Sequence, residues 1–150
     1  MLFLEDLTPG RRFETASHTL SEEELLAFAH QFDPQFFHTD HEAAKNSVFD
    51  GLAASGWHTS SLSMRLVAQS ELGTVANGLV GMDISSMRWP RPTRAGDTLT
   101  VCVEVLESRR SSSQPGFGIV TVRWTTTNQR QEIAMQLENR IWVQARGRTE

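Results

Sequence analysis

Several things are scarce in this chain, and each scarcity removes a class of explanation. Cys102 is the single cysteine, so no disulfide can form within the chain. It sits in the alternating run Leu99–Val105, where a small residue on a strand is the plain reading. No neighbouring base would make it a nucleophile. Lys45 is the only lysine, the arginines are scattered, and the formal net charge is −4. Such a surface offers no basic footprint for nucleic acid or for an anionic membrane. No apolar run approaches the length needed to cross a bilayer. The opening residues place Glu5 and Asp6 early and lack the basic-then-apolar order of a secretion signal, so a cytoplasmic location is expected. Repeats, low-complexity tracts and long linkers are also missing. What remains is a chain of 150 residues, 39% hydrophobic and 21% charged, suited to one domain over 1–150 with one core.

The first half of the chain reads as helix. Ser21-Glu22-Glu23-Glu24 is a capping box, with three acidic residues at the positive end of the helix dipole. Leu25, Phe28, Ala29 and Phe32 follow on one face. Pro34 ends this helix by disfavouring helical geometry at Asp33. Thr39-Asp40-His41-Glu42 reads as a second capping box, opening a short helix through Ala43, Ala44 and Lys45. A longer helix is expected from about Ala53 to Glu71. Its first turns are crowded with small residues on several faces, which suits enclosure by neighbouring backbone better than a solvent-facing position.

The second half alternates with period two. Leu99, Val101, Val103 and Val105 share a face, as do Val120, Val122 and Trp124. Ile133, Met135, Leu137, Asn139, Ile141 and Val143 make a longer set, and Met82–Trp89 precedes them all. Turns fall at Gln114-Pro115-Gly116 and at Asn128-Gln129-Arg130. Helices followed by strands indicate an α+β fold with an antiparallel sheet. Four or more long strands and one central helix make a sheet wrapped around a helix, the hot-dog arrangement.

The segment Phe32–Asp40 carries the chemistry. Asp33 and His38 stand five residues apart across a proline-containing bend that can turn both side chains toward one space. Phe32, Phe36 and Phe37 are candidates for apolar walls there. Burial shifts carboxylate and imidazole pKa values toward useful ranges. A pair that picks up and returns a proton is what adding water to a double bond requires.

Asp33 through His38, followed by Phe49-Asp50-Gly51-Leu52-Ala53-Ala54-Ser55-Gly56-Trp57-His58, resembles the MaoC-like dehydratase family, which includes the (R)-specific enoyl-CoA hydratases. The stretch from Arg88 to Leu99, ending Gly96-Asp97-Thr98-Leu99, and the opening Phe3–Gly10 also fit that family. The resemblance implies a hydratase or dehydratase acting on trans-2-enoyl-CoA or an (R)-3-hydroxyacyl thioester. It implies Asp33 and His38 as the groups that activate water, and the Gly56 amide, at the start of the central helix, as the donor to the thioester oxygen. Glycine there would let the substrate approach the backbone closely. No metal or redox cofactor is implied. Two departures stand out. Family members commonly read Asp-x-Asn-Pro-x-His where this chain reads Asp-Pro-Gln-Phe-Phe-His, and commonly carry His-Gly where this chain has Ser55-Gly56.

Each residue also has a plainer reading. Asp33 could simply stop a helix, and His38 could simply bridge a short one. Asp40 suits a helix start, and His18, His30 and His41 suit exposed segments. His38-Thr39-Asp40-His41 lacks the further ligands a metal site needs. His58 could line the pocket, though a structural role is favoured. Phe37, Ser55 and Trp57 are candidates for substrate binding, with Trp57 and the three phenylalanines bordering an acyl tunnel. Arg88, Arg91 and Arg94 are candidates for contact with coenzyme A phosphates, or else form a solvated lead-in to a strand. Ser61 and Ser63 could face the thioester or only allow close helix–sheet packing.

The expected substrate carrier is coenzyme A or acyl carrier protein, and the expected assembly is a homodimer whose sheet continues across both chains. Two other functions compete. A hot-dog acyl-CoA thioesterase would need a carboxylate on the central helix, and none lies between Leu52 and Ser70. A non-catalytic acyl-thioester-binding subunit would not need both Asp33 and His38.

Overall fold

The structure is a computed structural model describing residues 1–147. The expected domain span of 1–150 includes residues 148–150, which lie outside the described residues. Helix α1 spans Glu22–Phe32. Its capping box forms as the sequence indicates: Glu24 N–H donates to Ser21 Oγ at 3.1 Å, and the Glu24 carboxylate accepts from Ser21 N–H at 3.3 Å. Pro34 stops α1 at Phe32. Two one-turn helices follow, α2 over Phe36–Thr39 and α3 over His41–Ala44.

The second capping box is not formed as expected. Asp40 is the N-cap of α3, accepting from the amides of Glu42 and Ala43. Thr39 belongs to α2 instead, its hydroxyl turned back to the Gln35 carbonyl. Helix α4 covers Gly56–Ala68, shorter than the stretch from Ala53 to Glu71. Residues 53–55 remain non-helical because their polar groups are engaged elsewhere. The Ala53 N–H donates to the Phe37 carbonyl and the Ala54 N–H to the Thr93 carbonyl. Gln69 caps the far end, and Glu71–Thr74 forms a 3-10 turn.

The short strands β1 (Arg12–Glu14) and β2 (His18–Thr19) precede the helices. The long ones are β3 (Val80–Arg88), β4 (Thr98–Arg110), β5 (Phe117–Thr127) and β6 (Ile133–Gln144). They form one six-stranded antiparallel sheet in the order β1-β4-β5-β6-β3, with β2 also pairing β4. This is the hot-dog fold. The face carrying Leu99, Val101, Val103, Val105, Val120, Val122 and Trp124 is buried. It packs with Leu62, Leu66 and Val67 of α4 in the main core. Apolar area removed from water there supplies about 25 cal/mol per Å².

Helix α4 is enclosed on one side only. Thr59, Leu62, Ser63, Leu66 and Val67 are buried, whereas Trp57 and Met64 are exposed. A fully buried polar contact between α4 and the sheet pairs Ser63 Oγ with Thr126 Oγ1 at 2.7 Å. A small residue at 63 therefore serves helix–sheet packing. Cys102 lies between buried neighbours on β4 and is itself only partly buried.

Strand β3 is an edge strand, bonded on one side to β6 and open on the other. Nearly all of it is exposed, including Val80, Met82 and Ile84. Among the described residues no helix is long and apolar enough to cross a membrane.

Gly118 of β5 faces Leu4 of the N-terminal turn. A Cβ at 118 would lie 2.4 Å from Leu4 Cδ2 and 2.5 Å from the Arg109 carbonyl oxygen. Gly118→Ala should therefore destabilise the fold by about 1–3 kcal/mol through overpacking. The readout is the urea unfolding midpoint. An unchanged midpoint would mean that the Leu4 turn does not pack there.

Candidate active site

The site begins where α1 ends. Asp33 is the C-cap of α1, and its N–H donates to the Ala29 carbonyl. Pro34 turns the chain, and Gln35 becomes the N-cap of α2, whose single turn places His38 inward. A second core of Leu20, Leu25, Ala44, Leu52 and Ala54, joined by Phe37, packs beneath this bend. The bend is then clamped to the lead-in of α4. The Phe37 carbonyl accepts from Ala53 N–H at 3.1 Å, and His38 Nδ1 lies 2.6 Å from the Ala53 carbonyl oxygen.

A carbonyl oxygen only accepts, so Nδ1 carries a proton whatever the charge on the ring. His38 Nε2 is thereby the free position, and it lies 3.3 Å from Asp33 Oδ2. Both side chains are largely buried. The carboxylate is held at both oxygens: Oδ1 accepts from Gln35 Nε2 at 2.6 Å and Oδ2 from Ser55 Oγ at 2.7 Å. Burial pushes the Asp33 carboxyl upward, but the bonds from Gln35 and Ser55 and the charge of His38 outweigh it. The net displacement is below the ordinary aspartate value. Asp33 is thus maintained as a carboxylate, a proton acceptor beside an imidazole whose Nε2 is fixed toward it.

The start of α4 borders the same space. Ser55 is its N-cap but makes no side-chain capping bond, because its hydroxyl is turned to Asp33. Among the described residues the N–H groups of Gly56 and Trp57 donate to no protein acceptor. They are free donors at the positive end of a helix. A cleft of about 370 Å³ is walled by His38, Phe49, Ala54, Gly56, Thr59 and Trp89, with Pro90–Arg94 at its edge. Asp33 is not itself part of the cleft wall and meets it through its contact with His38.

Glycine at 56 meets a different need from the expected one. A Cβ there would lie 2.8 Å from Cε2 of the Trp89 indole. The close approach it permits is that of Trp89, whose Nε1 donates to Ser60 Oγ at 3.3 Å and whose ring meets Trp57 edge-on.

The expected tunnel walls are otherwise placed. Phe32 is 65% exposed, Phe36 51% and Trp57 59%, and none of them lines the cleft. They lie on α1, α2 and α4 with much of each ring in solvent, touching Phe28, Phe37 and Trp89 respectively. Phe37 is partly buried but faces the second core, with its ring edge-on to His38 at 4.5 Å between centroids. It supports the imidazole from behind. Ser55 is fully buried and does not line the cleft either. Phe49, Thr59 and Trp89 take the places expected of these residues.

The arginines separate in the same way. Arg94 gives its guanidinium to the Leu52 and Phe49 carbonyls, and so holds the loop before α4. Arg88 lies off the cleft and bonds Gln136 at 3.1 Å. Arg91 is at the cleft and pairs with Glu132 at 2.8 Å. His58 stacks on Phe28 at 4.5 Å, outside the cleft, and burial holds its pKa below the ordinary value. Among the described residues no group of three or more His, Cys, Asp or Glu is placed to hold a metal. A larger concavity, about 760 Å³, lies at the far end of β4. Its Arg110 and Arg146 are paired with Glu5 and Asp6, and among the described residues it has no acid–base pair on its wall.

A family model described as the MaoC like domain matches residues 5–128. A Bacillus subtilis (strain 168) protein called uncharacterized protein YdeM is 33% identical over 129 residues, covering 85% of this chain and 89% of that protein. The crystal structure of a MaoC-like dehydratase from Rhodospirillum rubrum is 46% identical, with a TM-score of 0.94 over 98% of this chain and 99% of that one. The (R)-hydratase from A. caviae involved in PHA biosynthesis is 24% identical, with a TM-score of 0.72 over 91% of this chain and 97% of its own. That last likeness is one of fold.

The lowered pKa of Asp33 has a consequence for stability. The carboxylate's contribution is present above the unfolded-state value of about 3.9 and disappears as the pH falls through the lower folded-state value. Asp33→Asn should be less stable than the wild type near neutral pH, and the gap should close in acid. Melting temperatures across pH 7 to 3 measure this. A gap that stays constant or widens in acid would contradict the carboxylate's placement.

Proposed function

The chain belongs to the MaoC-like domain family, and on that premise we propose that it is a hydratase/dehydratase acting on an acyl thioester. The observation that carries this reading is the meeting of Asp33 Oδ2 and His38 Nε2 at 3.3 Å, one residue away from the uncapped start of α4. The names of the Rhodospirillum rubrum dehydratase and of the A. caviae (R)-hydratase support the same class of reaction.

In this reading a water binds on the cleft side of the pair, within reach of both His38 Nε2 and the Asp33 carboxylate. The carboxylate takes its proton as the oxygen bonds to the β-carbon of a trans-2-enoyl thioester. Electron density moves to the thioester oxygen, where the Gly56 N–H and the helix dipole stabilise the enolate. His38 Nε2–H protonates the α-carbon, and the proton held by Asp33 passes to Nε2. One water has then been added and the pair is restored. The reverse sequence dehydrates an (R)-3-hydroxyacyl thioester. The Ala53 carbonyl keeps Nδ1 out of the exchange, so only one imidazole nitrogen takes part. Neither a metal nor a redox cofactor is called for. Thioester hydrolysis is less well served, because α4 carries no acidic residue.

The acyl group would lie in the cleft against Phe49 and Trp89, and the carrier, coenzyme A or acyl carrier protein, would reach it past Arg91. Arg88 would meet the carrier only farther out. A cytoplasmic setting accords with such substrates.

The open edge of β3, with Val80, Met82 and Ile84 in water, is the kind of surface that pairing between subunits removes. A homodimer with a sheet continuous across two β3 strands covers it. Sedimentation at micromolar concentration should give a dimer, and Ile84→Arg should shift it toward monomer. A stable wild-type monomer would defeat the assembly reading.

The reaction is tested by loss of enoyl-thioester absorbance across a panel of trans-2-enoyl-CoA chain lengths. Asp33→Asn and His38→Ala should each lower kcat/KM on the order of a hundredfold or more. The double variant should be little worse than either single one, since partners in one step are non-additive. Losses that multiply, with each single variant keeping much of the wild-type rate, would reduce both residues to scaffold. Thioester binding without turnover of any panel member would favour the binding-subunit alternative.

A further inference from the structure

We propose that Ser55 is a positioning residue, which holds Asp33 in register with His38 and, by doing so, leaves the start of α4 uncapped for the substrate. This rests on the hydratase reading of the site.

Three observations carry the proposal. Ser55 is 0% exposed and is not part of the cleft wall, so it does not touch a substrate lying there. It occupies the N-cap of α4, where serine ordinarily accepts a bond from an amide of the first turn, yet no such bond forms. Its hydroxyl donates instead to Asp33 Oδ2 at 2.7 Å. That oxygen is the one facing His38 Nε2.

The chemistry follows from the direction of the bond. An ionised carboxylate only accepts, so the hydroxyl hydrogen is committed to Asp33. The bond stabilises the charged form and opposes rotation of the carboxylate away from the imidazole. Gln35 holds the other oxygen at 2.6 Å but is itself exposed. The buried anchor is Ser55. Its own carbonyl accepts from the N–H groups of His58 and Thr59, so its backbone is part of the helix that presents the Gly56 N–H. One residue thus fixes the distance between the proton-transferring pair and the donor to the thioester oxygen.

The test uses Ser55→Ala, Ser55→Gly and Ser55→Thr, with Ser61→Ala on the exposed side of α4 as a control. Glycine is itself a tolerated N-cap, so it keeps the test open if alanine disturbs folding. The first readout is the Asp33 carboxyl titration, followed by ¹³C NMR in the free protein. It should move upward in the alanine and glycine variants and return toward the wild-type position in the threonine variant. The second is kinetic, on the enoyl-CoA that the wild type hydrates best. Alanine should lower kcat about ten- to hundredfold, with KM held within about threefold. The acid limb of the kcat/KM profile should move upward with the carboxyl.

An unmoved Asp33 titration in Ser55→Ala and Ser55→Gly would overturn the proposal, whatever the activities. A fall in melting temperature with kcat and KM disturbed together, but the carboxyl unmoved, would assign Ser55 to folding alone. Failure of the hydratase reading shows separately, as wild-type inactivity on the panel or as indifference to Asp33→Asn.

Discussion

The hydrogen bond from His38 Nδ1 to the Ala53 carbonyl is the contact on which the site's arrangement depends. It joins segments 15 residues apart in the chain, and with the Ala53 N–H to Phe37 bond it docks the one-turn helix α2 onto the lead-in of α4. That lead-in is tied in turn to Thr93 through the Ala54 N–H and to Arg94 through the Leu52 carbonyl. Three stretches distant in sequence therefore meet at residues 52–55. The short helix could not be stable by itself, since a single turn does not recover the cost of its own nucleation. It is held by the clamp and by Phe37 in the second core.

This clamp also sets the protonation pattern. An imidazole in a mobile loop exchanges protons at either nitrogen. Here one nitrogen is occupied by an acceptor that cannot lose its role, and the second is turned to a carboxylate. Low solvent access strengthens these interactions and raises the cost of leaving any group unpaired. Helix α4 carries the complementary feature. An N-cap bond is typically worth about 1 kcal/mol, and α4 forgoes it while Asp33 gains a donor. A local loss of helix stability coincides with a better ordered site.

Much of this was legible in the sequence where the governing physics is local. The capping box at Ser21, the stop at Pro34 and the alternation of Val101, Val103 and Val105 depend on neighbours within a turn or two, and each is found as read. The pairing of Asp33 with His38 also follows from a short bend. The failures have a common cause in distance. Thr39 and Asp40 are both good N-caps, and which one serves depends on where α2 ends. Phe36 and Phe37 are adjacent and chemically alike, and only docking decides that one faces solvent and the other the core. Nothing in the spacing of residues 56 and 89 announces that an indole covers Gly56. Ser55 stands beside Gly56 in the sequence and is a candidate for substrate binding, whereas its side chain points into a buried bond with Asp33.

The open strand β3 has a consequence for the order in which the sheet is completed. Strands β4, β5 and β6 form a meander of adjacent hairpins, with Thr127 opposite Ile133 at the tighter of them. Strand β3 has no such neighbour. Its Arg88 finds Gln136 across 48 residues, with β4 and β5 lying between them in the chain. Closing a longer loop costs more entropy, and non-local pairing is slow. On a growing chain, moreover, β3 leaves the ribosome before the strand it pairs with has been made. Val80, Met82 and Ile84 thus spend the early life of each molecule with neither edge of their strand satisfied. A segment left half-paired in the finished subunit is also one that stands unpaired while two further long strands of its sheet are made.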